Sequence, residues 1–223
     1  MKIATWNVNS LAVRLPQLLD WLAAHQPDVL CLQETKLADD KFPHAAITEA
    51  GYQVHWFGQK TYNGVALISK SVATDVVRNI PGHDDHQARV IAATVDGIRI
   101  IGAYVPNGQS VESEKFPYKL AWLEALRDWV KSECAVHPQL ALLGDYNIAP
   151  EDRDVHDPVT WAGRCCARPR SGRTSRLCSG SACTMLSACS SRRQSNTAGG
   201  TTGCWRSART RACASTTSSS AMR

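Results

Sequence analysis

The chain has 223 residues, 43% hydrophobic and 20% charged, which fits one globular domain of ordinary size rather than two. No apolar run nears the roughly 18 residues of a membrane span. The opening Met1-Lys2-Ile3-Ala4-Thr5-Trp6-Asn7 turns polar at once and has no apolar signal core, so a cytoplasmic protein is expected. The net charge of +5 and the nine cysteines suggest a basic, disulfide-bonded protein, yet these averages describe neither part of the chain. Residues 1–164 carry all 20 acidic and 15 of the 25 basic side chains, a net of −5. Residues 165–223 carry ten arginines and no acid, a net of +10, together with seven of the nine cysteines.

In chain order, Lys2–Trp6 predicts a short strand, and Leu15, Leu18, Leu19 and Leu22 fall on one helical face. Val29–Leu32 is apolar at every position, as a strand covered on both faces requires. Strands follow at Gly64–Ile68, Val90–Val95 and Ile98–Tyr104, the last two joined by an Asp96-Gly97 hairpin turn. A helix is expected from Lys115 to Glu133, with Leu120, Leu123, Leu126 and Val130 at helical spacing, then a strand at Leu140–Leu143. Hairpins mixed with strand–helix units imply α/β architecture in which packed sheets are covered by helices. From Cys165 the pattern stops. The tail has no Ile, Val, Phe or Tyr, and 21 of its 59 residues are Ser or Thr, so no independent folding or strand formation is expected there.

Polar residues recur directly after the strands: Asn7 and Asn9, then Gln33-Glu34-Thr35-Lys36, Tyr104 to Gly108, and Gly144-Asp145-Tyr146-Asn147. This acidic and amide set has no cysteine or histidine pair at zinc spacing and favours a hard cation such as Mg²⁺. Such an ion neutralises phosphate oxygens and acidifies water, as phosphodiester hydrolysis requires.

The ordered strings TWNVNS, LCLQETK, Tyr62-Asn63-Gly64-Val65-Ala66-Leu67, YVPNG, KFPYK and GDYNIAPEDRDVHDP resemble bacterial exodeoxyribonuclease III, of the endonuclease/exonuclease/phosphatase superfamily. The resemblance covers residues 1–164. It implies a four-layer α/β sandwich of DNase I-like type, incomplete at its C-terminal end. It also implies a Mg²⁺-dependent DNA-repair nuclease, with Mn²⁺ as an alternative metal, acting as a monomer on double-stranded DNA, abasic sites included. By motif, Glu34 and Asn7 would hold the metal, Tyr104 would contact the scissile phosphate, and Asp145 and Asn147 would position and deprotonate the attacking water. A phosphomonoesterase of the same superfamily and a non-catalytic DNA-binding remnant are the competing readings. Lys115 and Lys119 read as solvated helix positions, and Arg89 as either a DNA-side or a structural residue. His83-Asp84-Asp85-His86 reads as a polar loop and Cys31 as a buried small residue.

The family completes its site with a Trp-[Trp/Phe]-Asp-Tyr-Arg segment and a later Gly-Leu-Arg-Ile-Asp segment, and neither occurs in the 223 residues. Stepping the reading frame back one base explains their absence. Ala198 to Cys204 then permits Trp-Trp-Asp-Tyr-Arg-Met, and Arg211 to Met222 permits Gly-Leu-Arg-Ile-Asp-His-Ile-Leu-Val-Ser-Asp. Residues 165–223 are therefore expected to be frameshifted, disordered text whose cysteines carry no zinc or disulfide role.

Overall fold

A computed structural model describes residues 1–149 and the strand Cys183–Ser187. The described elements are β1 (Ile3–Asn7), α1 (Leu11–His25), β2 (Val29–Gln33), α2 (His44–Glu49), β3 (Gln53–Phe57), β4 (Val65–Ser69), β5 (Ala73–Arg78), β6 (Val90–Val95), β7 (Ile98–Tyr104), α3 (Lys115–Val136), β8 (Leu140–Asp145) and β9 (Cys183–Ser187). They form two sheets, of order β1-β2-β4-β3 and β5-β6-β7-β8-β9.

The period of two along a strand explains the layering. In β2, Val29 and Cys31 point to the second sheet, where they meet Ile91, Ala93, Ile100 and Leu143. Leu30 and Leu32 point the other way, onto Leu11, Leu18 and Leu22 of α1. In β7, Ile101 and Ala103 pack on Trp122, Leu126 and Trp129 of α3. The result is helix, sheet, sheet, helix, the expected four-layer α/β sandwich. No helix among the described residues is long and apolar enough to cross a membrane.

Two parallel pairs set the functional rim. A parallel pair needs a long crossover, and α1 supplies it between β1 and β2 while α3 supplies it between β7 and β8. Residues leaving the C-terminal ends of each pair therefore lie side by side: Asn7 faces Gln33, and Tyr104 faces Asp145. Catalytic groups in α/β folds gather at such ends because rigid strands hold them and loops leave them open.

Four elements depart from expectation, the short helix α2 among them. β3 and β5 were not legible as strands; β5 is largely exposed and carries a bulge between Thr74 and Val77, so it has no continuous apolar run. Within the tail, where no strand is expected, β9 pairs in parallel along β8, Leu140 with Cys183 through Gly144 with Ser187. Cys183-Thr184-Met185-Leu186-Ser187 includes the tail's only adjacent pair of large apolar residues, and an unpaired edge strand is a strong template for backbone bonding. The β8 edge is thus covered rather than open. The remaining tail expectations, disorder and cysteine roles included, fall outside the described residues.

Candidate active site

The loops after β1 and β2 extend the parallel pairing beyond the strands. Val8 N donates to Gln33 O (3.0 Å), Ser10 N to Glu34 O (2.8 Å) and Leu11 N to Thr35 O (3.0 Å). Asn9, Ser10, Glu34 and Lys36 all adopt positive φ, so both turns depend on left-handed backbone held by these bonds. A third loop locks them: Thr35 N donates to Gly64 O (3.1 Å) and Lys36 N to Asn63 O (2.9 Å). Gly64 has φ +88°, and a Cβ there would lie 2.1 Å from Thr35 Oγ1, so only glycine fits.

These loops and the ends of β7 and β8 bring the side chains of four of the five expected site residues into one hydrogen-bonded cluster. Asn7 Nδ2 donates to Glu34 Oε1 (2.8 Å) and to Asp145 Oδ2 (2.9 Å), joining the two sheets. Tyr104 OH donates to the same Glu34 Oε1 (3.0 Å), and Lys36 Nζ stands 3.0 Å from Glu34 Oε2. Asn147 joins through its backbone: its N–H donates to Asp145 Oδ1 (3.0 Å) from a residue at φ 47°. Its side-chain Nδ2 is turned to Val105 O (2.9 Å) instead of the carboxylates.

The two carboxylates are tuned in opposite directions. Burial raises the Glu34 carboxyl, but hydrogen bonds from Asn7, Lys36 and Tyr104 and the Lys36 charge outweigh it, and the net shift is downward. Burial dominates at Asp145 and raises its carboxyl, against hydrogen bonds from Asn7 and the Asn147 N–H, with the Glu34 charge adding to the rise. Burial first, then the Glu34 charge, pushes the Tyr104 phenol far above its ordinary range, so it stays a hydrogen-bond donor. One fixed anion, one carboxyl biased toward taking a proton and one permanent donor are what general-base chemistry on an anionic substrate uses.

Two basic residues prove to be internal supports. Lys119, expected on a solvated face, is fully buried, and its Nζ donates to Asn147 O (2.6 Å). The inward stripe of α3 runs Phe116, Lys119, Trp122, Leu123, Leu126, Trp129, Val130, so Lys119 occupies a core position by spacing alone, a signal readable in the sequence. Arg89 is also buried. Its guanidinium lies 5.0 Å over the Tyr104 ring, donates to Tyr104 O (3.2 Å), and is gripped by Gln87 Oε1. The 83–86 segment is a polar loop as expected: Asp85 accepts from Gln87 N and from Tyr118 OH (2.8 Å).

The donor chemistry suits a hard divalent ion. Glu34 and Asp145 bring carboxylate oxygens to one rim, the donor type such an ion takes, while the Asn7 amide between them turns Nδ2 to both carboxylates and keeps Oδ1 on Asn9 N (3.0 Å).

A four-layer sandwich carrying this carboxylate, amide and phenol cluster where its two parallel strand pairs end is of the DNase I-like class. The chain belongs to the endonuclease/exonuclease/phosphatase family, whose pattern matches residues 4–216. Exodeoxyribonuclease III of Haemophilus influenzae is 35% identical over 161 residues, covering 70% of this chain. This chain spans 60% of the length of that relative. A 3′–5′ exonuclease of Neisseria meningitidis is similar in structure, 50% identical with a TM-score of 0.78, over 79% of this chain and 70% of that one. A Neisseria 3′ phosphatase bound to a product DNA hairpin is 49% identical with a TM-score of 0.78, over 79% of this chain and 69% of that one.

Proposed function

We propose that the chain is built as a DNA-repair phosphodiesterase of the exodeoxyribonuclease III type, acting in the cytoplasm on duplex DNA as a 3′ to 5′ exonuclease and an abasic-site endonuclease. The observation that carries this reading is the Asn7 amide joining Glu34 and Asp145 across the two sheets, with the Tyr104 hydroxyl on the same carboxylate. Glu34 and Asn7 would hold Mg²⁺ or Mn²⁺, which when bound offsets phosphate charge and favours ionisation of water. Asp145 takes the proton of the water that attacks phosphorus, its carboxylate held in place by the Asn147 N–H on Oδ1 and the Asn7 amide on Oδ2. The Tyr104 hydroxyl donates to a non-bridging phosphate oxygen as charge builds there. Arg89 and Lys119 act through Tyr104 and Asn147 respectively, holding their backbones.

The written tail lacks both segments that would complete this site, and loss of a single transition-state donor costs roughly 10²–10³ in rate. The chain as written is therefore proposed to cleave weakly or not at all, and residues 165–223 to be text shifted by one base near Arg164. Resequencing the gene tests the second point: codons that cannot yield Trp-Trp-Asp-Tyr-Arg one base back refute it. A second reading, removal of a 3′ phosphate from DNA, is supported by the similarity to the Neisseria 3′ phosphatase. Incubation with an abasic-site duplex, a 3′-phosphorylated duplex and p-nitrophenyl phosphate, with Mg²⁺ or with chelator, separates the readings. Metal-dependent turnover confined to DNA supports the proposal, and preferential turnover of the small phosphate overturns it.

A further inference from the structure

Lys36 is the charged group at the site that the proposed reaction leaves without a part. Its ammonium lies 3.0 Å from Glu34 Oε2 and donates to Asn9 Oδ1 (2.5 Å). Neither partner is placed by chance. Lys36 and Asn9 both sit at positive φ, in turns pinned by the Lys36 N to Asn63 O and Ser10 N to Glu34 O bonds. The two Glu34 oxygens are divided by function. Oε1 accepts from Asn7 and Tyr104, neutral donors that remain compatible with a nearby cation, while Oε2 faces a full positive charge.

We infer that Lys36 is the resident counter-ion of the metal site: its ammonium holds Glu34 Oε2 while the site is free of metal, and yields that oxygen when a divalent ion enters. The inference rests on the reading of Glu34 as a metal ligand. Charge makes the two cations mutually exclusive at one carboxylate oxygen, because a divalent ion and an ammonium at contact distance repel strongly in a half-buried site. Geometry makes the exchange feasible, since Asn9 Oδ1 retains the ammonium at the rim and spares it an unpaired state.

The test uses the full chain with Mn²⁺ alone as the probe, following free Mn²⁺ by electron paramagnetic resonance and Tm with and without the ion. Lys36→Met is expected to bind Mn²⁺ roughly tenfold more tightly than wild type, because the competing charge is gone. Lys36→Arg, which keeps the charge, is expected to bind within about twofold of wild type, and the Mn²⁺-induced rise in Tm should be larger for Lys36→Met. Lys36 is partly exposed, so neither variant threatens the fold. Glu34→Gln locates the site. Mn²⁺ binding that depends on Glu34 but is unchanged or weakened in Lys36→Met overturns the counter-ion role and leaves the metal reading standing. Binding that is absent from wild type, or indifferent to Glu34, overturns the metal reading and the counter-ion role with it.

Discussion

Replacing Gly144 by alanine probes the joint on which the site depends. Gly144 lies in β8 opposite Ala103 of β7, one residue before Asp145, with φ +149°. A Cβ at this position would stand 1.8 Å from Ala103 O and 2.8 Å from Ala103 C, both backbone atoms that cannot rotate away. Ordinary C–H to carbonyl contacts need about 3.3 Å, so the two strands must separate by more than an ångström where their normal spacing is about 4.8 Å. Overpacking of this kind costs about 1–3 kcal/mol, and strained backbone for a non-glycine residue adds a similar amount. The expected loss of about 2–6 kcal/mol is a large share of the ~5–15 kcal/mol typical of a domain. Urea unfolding followed by tryptophan fluorescence measures it as a fall in midpoint at constant slope. Gly97→Ala is the internal control. Gly97 sits in the β6–β7 turn at φ +76° with nothing within 4 Å of its would-be Cβ, so only conformational strain of about 1 kcal/mol is expected. A Gly144→Ala loss no larger than that of Gly97→Ala would refute the close-approach reasoning.

Asp145→Asn should gain stability relative to wild type as pH rises. The folded state raises the Asp145 carboxyl, mainly through burial, so its contribution is complete below about pH 4, the ordinary Asp range, and is lost as pH climbs through the raised value. The variant cannot titrate, so a Tm difference that stays constant across this window would contradict the shift. Lys119→Met should speed hydrogen exchange of the Asn147 amide at least tenfold, about 1.4 kcal/mol of local opening, while β7 amides keep their protection. Equal exchange would show that Lys119 does not hold this turn. Cys31, buried between the sheets with its thiol pushed up to about 12, should resist iodoacetamide at pH 8 while half-buried Cys134 is labelled. Mass spectrometry showing Cys31 labelled first would place it outside the core.

What could be read in advance follows from how each element is buried. β2 and β4 are covered on both faces and so appear as uninterrupted apolar runs, Val29–Leu32 and Val65–Ile68. β3 and β5 lie at sheet edges, half exposed, and a bulge breaks the alternation of β5, so neither carries a clear period. Asn7, Glu34, Tyr104 and Asp145 were legible as polar residues that end or follow strands, and the family resemblance singled them out from their polar neighbours. Their convergence was not, since Asn7 and Asp145 are 138 positions apart and meet only because the two sheets stack. Arg89 was undecidable for a related reason: its main partners are the Tyr104 carbonyl and ring, which a sequence pattern does not display. Lys119 was misread because a lysine's charge was weighted above its spacing. The β9 strand was missed because tail composition argued against strands, while the open β8 edge offered backbone pairing that composition does not report.

The most direct test of the account is cleavage of an abasic-site duplex by the written chain and by the chain with its frame restored after Arg164, side by side with Mg²⁺. The restored chain is expected to incise the duplex, to lose that activity with chelator or with Asp145→Asn, and to exceed the written chain by at least 10²-fold. Equal activity of the two chains, or none from the restored one, would contradict the account.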